Sequence, residues 1–393
     1  MNRRSFLMAL ALGATTPLIL SACTTADAQV DTTFHPLEGD QSNLYLIGLS
    51  LLGTPDVTTS PTNTIVSPVG AAAAASIVAE GTTSPTKINP EQLKPTWTQW
   101  AQWNGTPTDK PGDEPVIAAR ARLVADPEIP LKPAYTTAIK TWDIPIEATK
   151  ITKTDLDAWA DYNTAGLVKH SGIKVTGDTK IVLQNALTFA AKWDQPFNAE
   201  ETDKDDFTRA DGRTIRVDMM QSTNHTVPYV QTDTGWRGMR LDYSYGELAA
   251  FILVPGDTAQ VNPTELHDIT TQLAGTDVPT HNLNIGLPKV KVTTHKDLLG
   301  FFDHLGLGPT ADLSGITDAP IKIAQAVQQA MLVVDEEGTV AAALTEVGME
   351  VTATYNQEPA IDMIVDRPFY LVIGDVETGT PLFLSHIGDP NAS

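Results

Sequence analysis

The residue types that most often carry out chemistry in proteins are sparse in this chain and lie far apart. Eight histidines are scattered along 393 residues, and there is one cysteine. No Gly-x-Ser-x-Gly sequence offers the turn that holds a nucleophilic serine, and no His-Glu-x-x-His or Cys-x-x-Cys spacing offers a zinc site. His295 and His304 are nine residues apart on a predicted helix, too far to bind one metal ion, so surface positions are favoured. We therefore expect no catalytic residue, no metal site and no cofactor.

Two other clusters could bind a ligand, but each has a simpler interpretation. Residues 203–211 are acidic like a calcium loop, yet they lack the glycine and the terminal glutamate of an EF-hand, which favours a charged loop. Trp97, Trp100 and Trp103 recur every three residues and could form a platform on which a ligand stacks. The same spacing is typical of a helix face packed on the domain, which is the favoured interpretation.

The overall composition excludes one large class of function. The chain carries 26 Lys and Arg against 48 Asp and Glu, a net charge of −22, with no Lys/Arg-rich run. Phosphate binding needs clustered cations, so a nucleic-acid partner is not expected. With 41% hydrophobic residues the chain can bury a large core, and Pro and Gly are spread evenly, which favours one large domain over residues 41–393.

The N-terminus is typical of an exported protein. Arg3 and Arg4 precede an apolar stretch over residues 6–20, which is too short and too interrupted to span a membrane. The sequence Leu20-Ser-Ala-Cys23 resembles a bacterial lipobox, so residues 1–22 are predicted to be a twin-arginine-like signal and Cys23 a lipidation site, with residues 23–40 as a tether. The alternative is an ordinary signal cut at Ala26 or Ala28. We expect a cell-envelope lipoprotein or an extracellular protein that touches membranes only through the lipid on Cys23.

The sequence predicts both helices and strands that could position a functional site. Residues 44–52 and 68–80 are predicted to be helices, the second because Pro68 begins it and Gly81 ends it. A capping box at residues 294–297 predicts a third helix over residues 298–305. Short apolar runs bounded by breakers predict strands at 181–189, 247–254, 283–287 and 368–373, and residues 321–334 a long central strand. The fold class is α+β.

The segment after that long strand has the most unusual pattern. Read with period two, Thr339, Ala341, Ala343 and Thr345 form one face of uniformly small residues. The other face holds Gly338, Val340, Ala342 and Leu344. A surface loop would be polar and rich in turn residues, so the pattern favours a strand that can slide between two others with its small face on the core.

This hinge, Glu336-Glu337-Gly338-Thr339 with Ala341-Ala342-Ala343, resembles that of the serpins, and of inhibitory serpins in particular. Further segments are similar in order and spacing over residues 41–391: Asn63-Thr-Ile-Val-Ser67-Pro68, Asn185-Ala-Leu-Thr-Phe189 with Lys192-Trp193, Leu287-Pro288-Lys289, Ala311-Asp312-Leu313-Ser314-Gly315-Ile316, Arg367-Pro368-Phe369 and Pro381-Leu382-Phe383-Leu384.

The resemblance implies a large, mostly antiparallel central sheet with additional sheets, eight or nine helices and an exposed reactive-centre loop at about residues 336–366. It also implies a monomeric suicide-substrate inhibitor that traps a serine protease covalently while its cleaved loop enters the sheet. The residues that would control opening of the sheet are Trp193, Asn185, Ser67 and Gln328. Gln328 replaces the family's usual histidine, Gly70 a serine and Ser385 a glycine. Because glutamine does not titrate near neutral pH, opening of the sheet is not expected to depend on pH.

The family spacing also predicts the scissile bond. The seventeenth residue counted from Glu336 is Thr352, which selects Thr352–Ala353, with Val351, Met349 and Tyr355 as alternatives. A small β-branched bait suits an elastase-like or subtilisin-like protease. No Lys or Arg lies between Glu336 and Asp366, which argues against trypsin-like targets.

Two other functions compete with inhibition. A non-inhibitory serpin acting as a carrier would share the fold, and the small hinge face argues against it. A solute-binding lipoprotein would share the signal segment, but it leaves the pattern of residues 336–345 unexplained.

Overall fold

The computed structural model describes residues 42–53, 62–102, 106, 116–244, 246–256, 261–275, 277–339 and 360–392. Seven α-helices occur in these ranges, against the eight or nine expected: α1 Ser42–Leu52, α2 Pro68–Ala79, α3 Pro90–Gln102, α4 Pro133–Lys140, α5 Lys153–Asn163, α6 Pro263–Leu273 and α7 Leu299–His304. A short 3₁₀ helix spans Ala199–Glu201. In these ranges, no helix is long and apolar enough to cross a membrane.

Fifteen strands fall into two sheets in the described ranges. They are β1 Thr64–Val66, β2 Val116–Ala125, β3 Ile146–Ala148, β4 Ile181–Lys192, β5 Asp203–Thr208, β6 Thr214–Gln231, β7 Arg237–Asp242, β8 Leu248–Val254, β9 Thr280–Pro288, β10 Val290–Asp297, β11 Val327–Val334, β12 Gly338–Thr339, β13 Ile361–Ile364, β14 Phe369–Asp375 and β15 Pro381–Ile387.

The six-stranded sheet is the one that concerns function. Its order is β10-β11-β12-β4-β2-β3, and every pairing is antiparallel except that of β2 with β3. The nine-stranded sheet follows the order β1-β15-β14-β8-β7-β6-β9-β13, with β5 paired to β6. A common core lies between the sheets and α2, in which the small side chains of Ala71, Ala72, Ala73 and Ala75 are buried and allow close approach. This is the predicted α+β fold with a large, mostly antiparallel sheet.

Helix α2 begins as the sequence predicts. Ser67 is its N-cap, and the Ser67 hydroxyl accepts a hydrogen bond from the Gly70 amide at 3.1 Å. Pro68 occupies the first turn, where its missing N–H costs nothing. The helix ends before Gly81, where an added Cβ would lie 2.2 Å from the Ile316 side chain.

The capping-box prediction at residues 294–297 is wrong. These residues are the end of β10 and pair with β11, so long-range strand pairing overrides the local signal. The Thr294 hydroxyl accepts from the Ile65 amide at 2.9 Å. Helix α7 begins only at Leu299, whose amide donates to Asp297 Oδ1 at 2.8 Å, so one residue of the predicted box caps the helix from the end of β10. His295 therefore lies opposite Gln329 on a strand and not on the helix that carries His304.

Two other segments also differ from expectation. The predicted strand over residues 321–334 begins only at Val327, because residues 321–326 pair with no neighbouring strand. The acidic segment 203–211 is a strand, β5, and a turn; Phe207 is buried, while Asp203 and Asp206 are exposed. Among the described residues, no group of His, Cys, Asp or Glu could hold a metal ion. Trp97 is buried as expected for a packed helix face, whereas the side chains of Trp100 and Trp103 lie outside the described residues.

Candidate functional site: the gap between strands β4 and β11

The predicted hinge enters the six-stranded sheet between its two central strands. Thr339 pairs with Val334 of β11 on one side and with Ala191 of β4 on the other. Because β12 is antiparallel to both strands, β4 and β11 run parallel to each other. Thr339 is the only residue that bridges them by strand pairing in the described ranges. Beyond Thr339, no described residue pairs with both strands, and this part of the sheet is here called the gap.

The backbone before β12 is fixed by hydrogen bonds to the chain that follows β4. The Trp193 amide donates to the Glu337 carbonyl and the Phe197 amide to the Glu336 carbonyl, both at 2.9 Å. Gly338 passes so close to β4 that a Cβ would lie 2.1 Å from the Ala191 carbonyl oxygen. Only glycine fits here, and Gly338, expected on the outward face of the hinge, is in fact buried.

Two aromatic side chains, Trp193 and Tyr243, contact the hinge. The Trp193 indole N–H donates to the Asp335 carbonyl at 2.9 Å, and its ring stacks on Tyr243 at 4.6 Å between centroids. The Tyr243 hydroxyl lies 2.6 Å from the Thr339 hydroxyl, which is 1% exposed. Burial raises the pKa of Tyr243, so its hydroxyl stays neutral and available to this bond. Thr339, the first residue of the predicted small face, therefore points into the core, and the other residues of that face lie outside the described residues.

Glu336 supplies the charged anchor of the hinge. Its carboxylate accepts from Lys289 Nζ at 2.7 Å and from the Thr202 hydroxyl at 2.8 Å. Burial opposes ionisation of Glu336, but the hydrogen bonds from Lys289, the Glu336 backbone and Thr202 outweigh it and hold its pKa below the ordinary value. The hinge is thus fixed by an ion pair that ends at the start of β10, on the far side of β11.

A second polar cluster lies further along the gap, on its core side. The side-chain amide of Gln328 pairs with the Ser67 backbone: Oε1 accepts from the Ser67 N–H and Nε2 donates to the Ser67 carbonyl, each at 2.9 Å. The Ser67 hydroxyl donates to the Leu382 carbonyl at 2.9 Å. Asn185 approaches from β4, since a Cβ on Gly70 would lie 3.1 Å from both its Oδ1 and the Ser67 hydroxyl. Glycine at position 70 therefore leaves space for Asn185 and the Ser67 hydroxyl to lie close to α2.

The structure brings the predicted residues together in two groups. Trp193 and residues 336–339 meet at one end of the gap, whereas Ser67, Asn185 and Gln328 meet along it. Sequence reasoning missed Tyr243, Thr202 and the partner role of Lys289; the Leu287-Pro288-Lys289 motif marked the last position without indicating its contact. The remaining predicted residues lie outside the described residues: Cys23, Val340, Ala341, Ala342, Ala343, Leu344, Thr345, Met349, Val351, Thr352, Ala353 and Tyr355.

In this sheet, the segment that follows β11 begins to enter between two parallel central strands. This arrangement is typical of a class of proteins in which a loop inserts into the central sheet. Comparison with known proteins agrees with this description. A sequence model of the Serpin (serine protease inhibitor) family matches residues 46–390. The chain belongs to the serpin family, which makes it a protease inhibitor by family and not an enzyme.

Individual relatives fit the same assignment. Alpha-1-antiproteinase F from Cavia porcellus is 29% identical over 302 residues, which cover 72% of each chain. Alpha-1-antiproteinase S from the same species is 29% identical over 302 residues, covering 72% of this chain and 71% of the relative. Among solved structures, the thermophilic serpin tengpin in its native state has a TM-score of 0.73 at 18% identity, with 90% of this chain and 97% of that chain covered. Thyroxine-binding globulin in complex with thyroxine has a TM-score of 0.71 at 20% identity, with 89% and 98% covered. The likeness to these two structures concerns the fold.

Proposed function

We propose that this protein inhibits serine proteases as a suicide substrate whose cleaved loop enters the gap between β4 and β11. The observation that carries the proposal is β12, in which Thr339 pairs with both strands and Gly338 with β4, at one end of the gap. The next residues of the loop need only continue this pairing. Each would gain backbone hydrogen bonds on both sides, so insertion releases free energy stored in the native sheet.

Insertion would move an attached protease over a long distance. Residues 339–352 as a strand of roughly 3.3 Å per residue span on the order of 46 Å. A protease acylated at the end of that strand is dragged with it, and a displacement near 1 Å within an active site can cost about a hundredfold in rate. Deacylation then stalls, and the covalent complex persists.

The bait we propose is Thr352, with cleavage before Ala353 and with Val351, Met349 or Tyr355 as alternatives. A small β-branched side chain suits the shallow specificity pocket of an elastase-like or subtilisin-like protease.

The test uses the domain from about residue 31 onward, mixed with elastase-, subtilisin-, chymotrypsin- and trypsin-type proteases. We expect a protease adduct stable in SDS and a released peptide that begins at Ala353, read by mass spectrometry. The matched control is Thr352→Arg, which should transfer adduct formation to the trypsin-type protease. Cleavage without an adduct across the panel would instead favour a carrier of the same fold.

For the N-terminus we propose export and lipid attachment at Cys23, with the monomeric domain held outside the cell by residues 23–40. The support is the order of paired arginines, apolar stretch and small residues before the only cysteine of the chain. Expression of the full chain with a labelled fatty acid tests this. The label should enter the wild type and be lost in Cys23→Ser, and equal labelling of the two would contradict it.

A further inference from the structure

A cavity of about 150 Å³ lies beside the hinge, between the chain that follows β4 and the strands β6 and β7. A cavity of this size can hold an organic molecule of about six non-hydrogen atoms. Part of its wall is apolar and is formed by Val227, Leu241 and Val278. The rest includes four side chains that can carry charge: Asp194, His225, Arg240 and Asp242. The cavity can therefore select a ligand by its charge as well as by its shape.

One negative charge in the cavity has no counterion. Arg240, 8% exposed, donates through Nη1 to the Leu273 and Gly275 carbonyls, each at 2.8 Å. Arg240 Nε also lies 2.7 Å from Asp242 Oδ1, which balances the charge of that carboxylate. Asp194 lies at the exposed mouth of the cavity, where no cation of the described residues contacts its carboxylate. One arginine against two aspartates leaves one negative charge unbalanced, which favours a cationic ligand.

His225 offers such a ligand a hydrogen-bond acceptor. It is 8% exposed and lines the cavity, and its Nδ1 lies 3.2 Å from the Ser222 hydroxyl. The other ring nitrogen, Nε2, has no hydrogen-bond partner among the described residues. Burial lowers the pKa of His225 by more than the nearby Asp194 raises it, so the imidazole is neutral at pH 7. With Nδ1 donating to the Ser222 hydroxyl, Nε2 is left to accept from a ligand N–H.

The segment of chain that lines the cavity also holds the hinge. Residues 193–195 are part of the lining. The amides of Trp193 and Phe197 donate to the carbonyls of Glu337 and Glu336, both at 2.9 Å. A molecule that contacts this segment from the cavity therefore stabilises the backbone that fixes the start of β12. Occupancy of the cavity and opening of the hinge are coupled through these two hydrogen bonds.

We propose that this cavity binds a small organic cation, an alkylammonium ion of about six non-hydrogen atoms, and that the bound cation stabilises the hinge. The ammonium group donates to the Asp194 carboxylate and to His225 Nε2, while the carbon chain lies against Leu241 and Val278. The unbalanced negative charge disfavours an anion of the same size. Neither binding nor its effect on the hinge requires insertion of the loop, so the inference goes beyond the proposed function and does not depend on it.

Isothermal titration calorimetry of the purified protein with pentylamine measures binding. Pentan-1-ol and pentanoate, the neutral and anionic molecules of the same chain length, should bind at least about tenfold more weakly, because a hydrogen bond to a charged group contributes that much. Asp194→Asn keeps the size of an exposed side chain and should weaken pentylamine binding by a similar factor. Asp233→Asn, at an exposed position in the turn after β6, is the matched control and should bind like the wild type. No binding of pentylamine, or equal binding of pentanoate, would overturn the site.

A second variant and a second measurement test the position of the site. Val278→Phe fills the cavity without changing its charge and should abolish binding; unchanged binding in this variant would overturn the site. Hydrogen exchange, resolved by mass spectrometry, reports on the hinge. With pentylamine at ten times its Kd, exchange of the Trp193 and Phe197 amides should slow about tenfold, because opening of this segment also opens the cavity, whereas exchange in α4 should not change. Unchanged exchange at both amides would overturn the link to the hinge.

Discussion

Replacing Gln328 by methionine should weaken the native protein by an amount that the contacts of Ser67 determine. Methionine keeps the length of the side chain but cannot pair with the Ser67 backbone. The Ser67 N–H, in a residue that is 2% exposed, loses the partner it has at 2.9 Å, and an unsatisfied buried donor costs about 1–3 kcal/mol. The Ser67 carbonyl keeps its bond from the Ala71 amide at 3.0 Å, so its loss is nearer the roughly 0.5–1.5 kcal/mol typical of one hydrogen bond. We expect about 1.5–4.5 kcal/mol in total.

Thermal unfolding at a fixed scan rate, followed by circular dichroism, measures this effect. At about 2.1 cal/mol/K of unfolding entropy per residue, a domain of roughly 350 residues should lose about 2–6 °C in its transition temperature. Gln329→Met is the matched control. It makes the same chemical change at the next residue, but the Gln329 amide contacts His170 and Gly172 on the outer face of the sheet, where the released groups are at least partly exposed to water. A transition within about 1 °C of the wild type for Gln328→Met would refute the reasoning, and so would an equal loss in both variants.

Three further outcomes are expected. Thr339→Arg puts a long cation at a position that is 1% exposed, so the target protease should cleave the loop and escape without forming an adduct. Thr339→Val should still form the adduct. A wild-type yield of adduct from the arginine variant on SDS gels would contradict this prediction. Glu336→Gln removes the charge that Lys289 Nζ contacts at 2.7 Å, so the hinge should be destabilised by about 1–2 kcal/mol and the loop cleaved faster by proteases. Lys289→Met should have the same effect. A double variant that is destabilised more than either single variant would argue against a shared ion pair. Burial lowers the pKa of His386 to about 4 from an ordinary value near 6.5, so the free energy of unfolding should fall by roughly 3 kcal/mol as the pH drops from about 6.5 to 4. In urea titrations, His386→Asn should weaken this pH dependence. An unchanged pH dependence in that variant would exclude His386 as its source.

Local signals in the sequence predicted those elements whose boundaries depend on local chemistry. Helix α2 starts at Pro68 because Ser67 caps it, and both residues are adjacent in sequence. The short apolar strands were found because breakers bound them, as with β8 at Leu248–Val254. The capping box at residues 294–297 failed for the opposite reason: its polar residues were judged alone, while eight pairings with β11 decide the conformation of β10.

The candidate site divides along the same line. The alternation after Glu336 predicted a segment able to enter a sheet, and the structure places Thr339 in the core. The partner of Thr339 could not be predicted, because Tyr243 is 96 residues away and no local pattern links them. The same holds for the contact of Gln329 with Gly172, which are 157 residues apart.

The amino-acid sequence alone thus determined the small residues of the hinge, the caps that start its helices and the strongly acidic balance, since each depends on residue type and near neighbours. The gap itself depends on which strands lie side by side. β4 and β11 face each other across it although 134 residues separate the end of the first from the start of the second. The contacts beside it, of Gln328 with Ser67 and of Gln329 with Gly172, form only when distant segments meet. Such contacts depend on the packing of the whole chain, because their free energy arises only after both partners are already in place.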